Sequence, residues 1–210
     1  MIPLSDDAQS KSLVRLLRYI SQNINTDQFM LMEYLGPVVD GCRAALNVSV
    51  ANAKLLNKMS EDDFEEHISS VTDSYRDLTI CLQASDTGDD YSVVFDRGKA
   101  IIYDECIEPD VVITADEETL ISICDSDPKV SPYDVLGEKL RITGSDNLDI
   151  VEGLGFLCYP TLLRVAKSGV DPSSLLSEDA DSVIMAAASD LVIKMIRKWI
   201  DVSLSKDDAD

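Results

Sequence analysis

The sequence predicts an α+β protein: a mixed five-stranded sheet covered by helices, with extra helices at both ends of the chain. Three observations indicate this class. Apolar residues recur with helical spacing near both termini, they alternate with polar residues in the middle, and glycine or proline separates the segments. We expect an N-terminal helical extension at 1–58, a central domain at 59–158, and C-terminal helices at 159–210 that pack on or cap that domain.

The N-terminal region contains apolar stripes with helical spacing. The first consists of Leu13, Leu16, Leu17, Ile20 and Ile24, which share one face of a helix. Further apolar segments follow as far as Leu56, and Ser60 is a favourable N-cap for the helix that opens the central domain. This region therefore predicts helices that lie outside the sheet.

The period of the apolar residues changes to two near residue 78. Leu78, Ile80, Leu82 and Ala84 alternate with polar residues or cysteine, and segments 91–95 and 99–103 continue the pattern as an antiparallel meander. Segments 110–114 and 139–143 supply a fourth and a fifth strand. Between them lie two short helices, the second capped by Ser131 and ended by Gly137.

The C-terminal region predicts two helices. Pro160 is expected to begin the first, and the second is the longest in the chain. Apolar residues cover most of the circumference of this last helix, so it must bury two faces. Three interpretations remain open: a core helix, a lid over a ligand cavity, or a contact between subunits.

The charge of the chain limits its partners. Lys and Arg total 18 and Asp and Glu total 39, so the net charge is 18 − 39 = −21. Such a surface repels nucleic acid and anionic membranes, and we expect neither as a direct partner. No segment has the length of a transmembrane helix, and no signal peptide is recognisable. The five cysteines are scattered and never form a CxxC pair, which predicts reduced thiols in a cytoplasmic protein.

No group of residues predicts catalysis. His67 is the only histidine, and the chain has no phosphate-binding glycine loop and no nucleophile motif. The adjacent acidic pairs are typical of solvated faces in a chain with this many carboxylates. We therefore expect no catalytic residue, no metal site, no cofactor and no enzymatic activity, and a hydrolase or transferase remains only as a third hypothesis.

Two segments of the central domain resemble a known family. They are Pro109-Asp110-Val111-Val112-Ile113-Thr114 and the segment 136–144, Leu-Gly-Glu-Lys-Leu-Arg-Ile-Thr-Gly, with Thr119-Leu120 between them. Their order and spacing resemble the sterol carrier protein 2 family over about residues 60–158. The resemblance implies a mixed five-stranded sheet and helices that enclose a hydrophobic tunnel for an acyl chain, a sterol or another lipid.

The resemblance predicts carriage of a hydrophobic ligand without catalysis. The candidate lining residues are apolar and lie at inward positions: Val93, Phe95, Ile102, Ile113, Leu120, Leu136, Leu154 and Trp199. Each is also what a plain core would contain. The alternative is a protein-interaction or regulatory module that keeps the fold with the tunnel filled. Its extra helices would then form a homodimer contact or bind a protein partner.

Overall fold

The computed structural model describes residues 12–26, 77–96, 99–125, 130–167 and 180–207. The helices predicted between 27 and 76, with Cys42 and His67, lie outside the described residues. The described elements are α1 (Ser12–Thr26), β1 (Leu78–Ala84), β2 (Asp90–Asp96), β3 (Lys99–Tyr103), β4 (Val111–Ala115), α2 (Glu117–Cys124), α3 (Pro132–Val135), β5 (Arg141–Gly144), α4 (Asn147–Lys167) and α5 (Ala180–Asp207).

The five strands form one mixed sheet. Their order is β3-β2-β1-β4-β5; β1 and β4 are parallel, and the other neighbouring strands are antiparallel. The α+β class with a five-stranded mixed sheet is therefore confirmed. The alternation read from the sequence also holds, because Ile80, Leu82, Val111 and Ile113 are buried while their neighbour Val112 is only partly covered.

Helices cover one face of the sheet, which we call the covered face. Helix α1 contacts β3 and α2, α2 also contacts β1 and α4, and α4 contacts β4 and β5. Helix α5 lies further out, on α4 and α3. The hydrophobic core therefore lies between the sheet and the layer of α1, α2 and α4.

Helix α1 also protects the edge of the sheet at β3. The carboxamide of Asn25 accepts a hydrogen bond from the backbone N–H of Ala100 (2.7 Å) and donates one to the backbone carbonyl oxygen of Ala100 (2.9 Å). The Ser21 hydroxyl donates to the same carbonyl. Because unpaired edge strands invite pairing with other chains, these contacts cover the edge of the sheet at this point.

Helix α4 continues through Pro160, so the prediction that a helix begins there is wrong. The helix runs from Asn147 to Lys167, and the expected boundary between 158 and 159 falls inside it. Proline in a helix removes the hydrogen bond to the carbonyl four residues earlier. Leu157, Leu162 and Leu163 are buried on both sides of Pro160, and this burial offsets the lost bond.

Asp116 caps helix α2, and we expect Asp116→Ala to lower the free energy of unfolding by about 1 kcal/mol. Its carboxylate accepts a hydrogen bond from the Thr119 backbone N–H at 2.7 Å. That bond, with a second from the Thr119 side chain, lowers the pKa of Asp116 below its usual 3.8. The stabilisation is therefore present above pH 3.8 and is lost as the pH falls through the lower folded value.

Chemical denaturation at several pH values measures this effect. The difference between wild type and Asp116→Ala should be constant near pH 7 and shrink toward pH 2. Asp116→Asn keeps a hydrogen-bond acceptor at the cap and serves as the control, with a smaller loss at neutral pH. A difference that does not change with pH would contradict the role of the Asp116 carboxylate.

Gly137, in the turn after α3, packs closely against helix α5. We expect Gly137→Ala to destabilise the protein by about 2 kcal/mol. Its φ is +91°, and a Cβ at this position would lie 2.6 Å from Cγ2 of Val202 on α5. Gly88 is a matched control, because its φ is +75° and nothing lies within 4 Å of the same Cβ. Thermal unfolding of both variants separates the left-handed backbone strain from the clash, and equal losses would contradict the contact with Val202.

Candidate hydrophobic ligand site

The covered face of the sheet presents two rows of apolar side chains that cross several strands. In one row Ile102, Val93, Ile80 and Val111 are successive neighbours, and all four are buried. The other row consists of buried residues from β2, β1, β4 and β5, namely Tyr91, Leu82, Ile113 and Ile142. The alternation within each strand thus gives a continuous apolar surface under the helices.

The helices complete this surface from above. Leu120 on α2 and Leu154 on α4 are fully buried, and Leu136 is buried in the turn that follows α3. Gly153 allows α4 to approach the sheet closely, since a Cβ there would lie 2.7 Å from Val111 Cγ1. The result is a contiguous apolar cluster, which we call the apolar layer.

The structure places all eight candidate residues in or against the apolar layer. Six of them are buried members of it: Val93, Ile102, Ile113, Leu120, Leu136 and Leu154. Phe95 and Trp199 are partly buried and pack against it. The strand periodicity therefore identified inward positions that come together in space.

Phe95 lies at one end of the apolar layer. It is the neighbour of Leu78, the first residue of β1, and its ring contacts Phe156 of α4 edge to face with the ring centroids 6.3 Å apart. Phe156 was not among the candidates, because the segment around it is apolar on every side and no single face stands out. Tyr91 was also missed, although it shares the alternation of Val93 and Phe95.

Trp199 is on the outer helix α5 and packs against the layer from there. It is three residues before Val202 on α5, and Val202 contacts Gly137. The turn at Gly137 leads into β5, whose first residue Arg141 pairs with Thr114 near the far end of β4. Trp199 is therefore within one helical turn of the residue that contacts Gly137, whereas Phe95 pairs with the first residue of β1.

Cys81 and Cys106 are joined by a disulfide in the structure, so the prediction of reduced thiols is wrong for this pair. The two cysteines are 25 residues apart and their Cα atoms are 5.5 Å apart. They meet because the segment after β3 crosses the other face of the sheet, which the sequence spacing alone does not reveal. Cys124 and Cys158 are buried and take no part in a disulfide.

Two further searches concern the described residues only. In them no group of three or more His, Cys, Asp or Glu side chains is arranged to hold a metal ion. None of the helices traced there is both long enough and apolar enough to cross a membrane.

Comparison of the chain with family models, with curated proteins and with solved structures gives no match. The resemblance to the sterol carrier protein 2 family therefore stays a prediction that depends on the two sequence segments and their spacing.

Proposed function

We propose that the protein binds a hydrophobic molecule, such as a lipid, a sterol or an acyl or isoprenoid chain, within the apolar layer and without catalysis. One observation carries the proposal: the apolar layer is one contiguous cluster of buried side chains, and the partly buried Phe95 and Trp199 pack against it. Apolar sites bind mainly through desolvation, and such a layer offers a long apolar path with few polar groups.

Partly buried residues around the layer support entry of a ligand. Phe95 and Trp199 are only partly buried, so fewer packing contacts oppose their displacement by an apolar chain than oppose displacement of a fully buried side chain. The outer helix α5 adds Leu191 and Ile196, which are also partly buried and pack against the layer. Since α5 contacts α4 and α3, it is the element best placed to act as a lid.

The exposed apolar residues favour a second candidate, a protein-interaction module with a filled layer. Ile193 on α5 is 40% exposed and Ile101 on the opposite face of the sheet is 43% exposed. Isolated apolar residues on a surface are common, so this observation is weaker than the continuity of the layer. In this candidate the six buried side chains are ordinary core.

Titration with hydrophobic probes tests the ligand proposal. Trp199 is the only tryptophan, so its fluorescence reports directly on the part of the layer that it packs against. We expect a saturable change on adding a fatty acid, a sterol or a quinone, and no change with a short polar alcohol. The absence of a saturable change with all three classes would favour the interaction module.

A variant with a larger side chain on the covered face tests whether the ligand binds within the apolar layer. Ala100 is buried on the covered face next to Phe95, and Ala100→Leu adds volume there. Ile101→Leu is the matched control, because Ile101 follows Ala100 on the same strand and lies on the opposite face of the sheet. Binding should weaken at least about tenfold in Ala100→Leu alone, provided that its circular dichroism is native. Equal binding by both variants would place the ligand elsewhere.

A further inference from the structure

The face of the sheet opposite the covered face is crossed by residues 104–110, which we call the crossover. The crossover connects β3, at the edge of the sheet, to β4, which lies beside β1. Because β2 and β1 stand between these strands, the chain has to pass over both of them. Cys81 of β1 and Ser92 of β2 are direct cross-strand neighbours beneath it, and both are fully buried.

Hydrogen bonds hold the crossover on both sides of Cys106. The Ser92 hydroxyl donates to the Glu105 carbonyl oxygen (2.6 Å) and accepts from the Ile107 backbone N–H (3.0 Å). Further along, the Asp110 carboxylate accepts from the Thr79 backbone N–H at 2.8 Å. Cys106 therefore faces Cys81 through contacts that do not depend on the disulfide itself.

The two sulfur atoms differ in their access to solvent. Cys81 is fully buried, whereas Cys106 is partly exposed and also lies 3.8 Å from the amide nitrogen of Gln83. Thiol–disulfide exchange requires a thiolate to reach one sulfur of the disulfide along the bond. The exposed side of the pair is therefore Cys106, and Cys81 is the leaving group.

We propose that Cys81 and Cys106 form a reversible thiol–disulfide switch that cross-links the crossover to the sheet when it is oxidised and leaves it held by hydrogen bonds alone when it is reduced. A dithiol reductant supplies the two electrons. Its first thiolate attacks the Cys106 sulfur and expels the Cys81 thiolate, which takes up a proton. Its second thiolate then attacks the mixed disulfide, so that Cys106 leaves as a thiol and the reductant becomes a cyclic disulfide.

The contacts of Ser92 explain why the switch is reversible. After reduction, residues 105 and 107 stay bound to Ser92, so the Cys106 thiol remains beside Cys81 at a high effective concentration. A disulfide oxidant therefore re-forms the Cys81–Cys106 bond without the chain first having to bring the two cysteines together. Loss of the cross-link removes a constraint on the unfolded chain, which lowers the stability of the folded protein.

The test compares the full chain after equilibration with oxidised glutathione and with dithiothreitol. Alkylation followed by peptide mass mapping identifies each cysteine. We expect the peptides that contain residues 81 and 106 to be linked in the first sample and both alkylated in the second. Cys124 is an internal control, because burial, with Asp125 adding to it, raises the pKa of its thiol to about 12 and the native protein should not label there.

Stability and kinetics supply two independent readouts. Dithiothreitol should lower the Tm of the wild type by about 5 °C or more and leave the double variant Cys81→Ser/Cys106→Ser unchanged. Ser92→Ala should slow reoxidation severalfold, because it releases both neighbours of Cys106. The proposal is overturned if residues 81 and 106 label as free thiols after oxidation, or if the bond resists dithiothreitol in the folded protein.

Discussion

Replacing Ile113 by alanine is expected to lower the free energy of unfolding by about 2–5 kcal/mol. Ile113 is fully buried on β4, between Leu82 of β1 and Ile142 of β5 in one row of the covered face. Its truncation removes apolar contacts and leaves a cavity under the helices, and the strands on both sides restrict how far the site can collapse.

Urea denaturation of Ile113→Ala measures this loss, and Val112→Ala is the matched control. Val112 is the previous residue on the same strand, points to the opposite face and is only partly buried. Its truncation should cost about 1 kcal/mol or less. Similar losses in the two variants would contradict the assignment of the covered face. A hydrophobic ligand that stabilises Ile113→Ala more than it stabilises the wild type would in turn indicate binding in the cavity at residue 113.

The second large effect is expected at Gly153, where Gly153→Val should destabilise the protein by about 3 kcal/mol. Even a single Cβ at this position would lie 2.7 Å from Val111 Cγ1 and 2.8 Å from Ile142 Cδ1. Valine adds two methyl groups beyond that atom, so α4 has to move away from β4 and β5. The gain in helix propensity over glycine is under about 1 kcal/mol and does not compensate.

A double-mutant cycle with Val111→Ala tests the cause of this loss. Val111→Ala removes the methyl group that the new side chain would strike, so the double variant should be more stable than the sum of the two single losses predicts. We expect a coupling of about 1 kcal/mol or more. Additive losses would mean that Gly153 has a role other than the close approach of α4 to the sheet.

The strands and their faces could be predicted from the sequence because a half-buried strand has a period of two. Leu78 to Ala84 and Val111 to Ala115 are strands whose apolar residues face the helices, as the alternation indicates. The short helix at Pro132 also follows from its local signals, since Ser131 caps it and Gly137, with φ +91°, stands just after its end. These features depend on residues that are close in sequence.

Features that depend on distant contacts could not be predicted in the same way. Pro160 is a local signal for the start of a helix, but burial of the leucines around it keeps α4 continuous. The pairing of Cys81 with Cys106 follows from the path of the crossover, and five scattered cysteines do not specify it. Tertiary packing, and not the local sequence, therefore determines both the continuity of α4 and the pairing of the two cysteines.

The sequence likewise predicts only part of the candidate ligand site. Periodicity selected Val93, Ile102 and Ile113 as inward residues; Val93 and Ile102 are cross-strand neighbours, and Ile113 belongs to the same apolar layer. The same pattern would arise in a filled core and in a layer that opens for a ligand, because both bury apolar side chains on the covered face. A measurement of what the purified protein holds separates the two.

Native mass spectrometry of the purified chain, followed by organic extraction, is the most direct test of hydrophobic ligand binding. We expect an added mass of a few hundred daltons that is released by the solvent and identified as a lipid. Protein stripped of that lipid and then incubated with it should regain the added mass. A mass equal to that of the bare chain, with no uptake of acyl chains, sterols or quinones, would contradict the proposal and leave the protein-interaction module as the function to pursue.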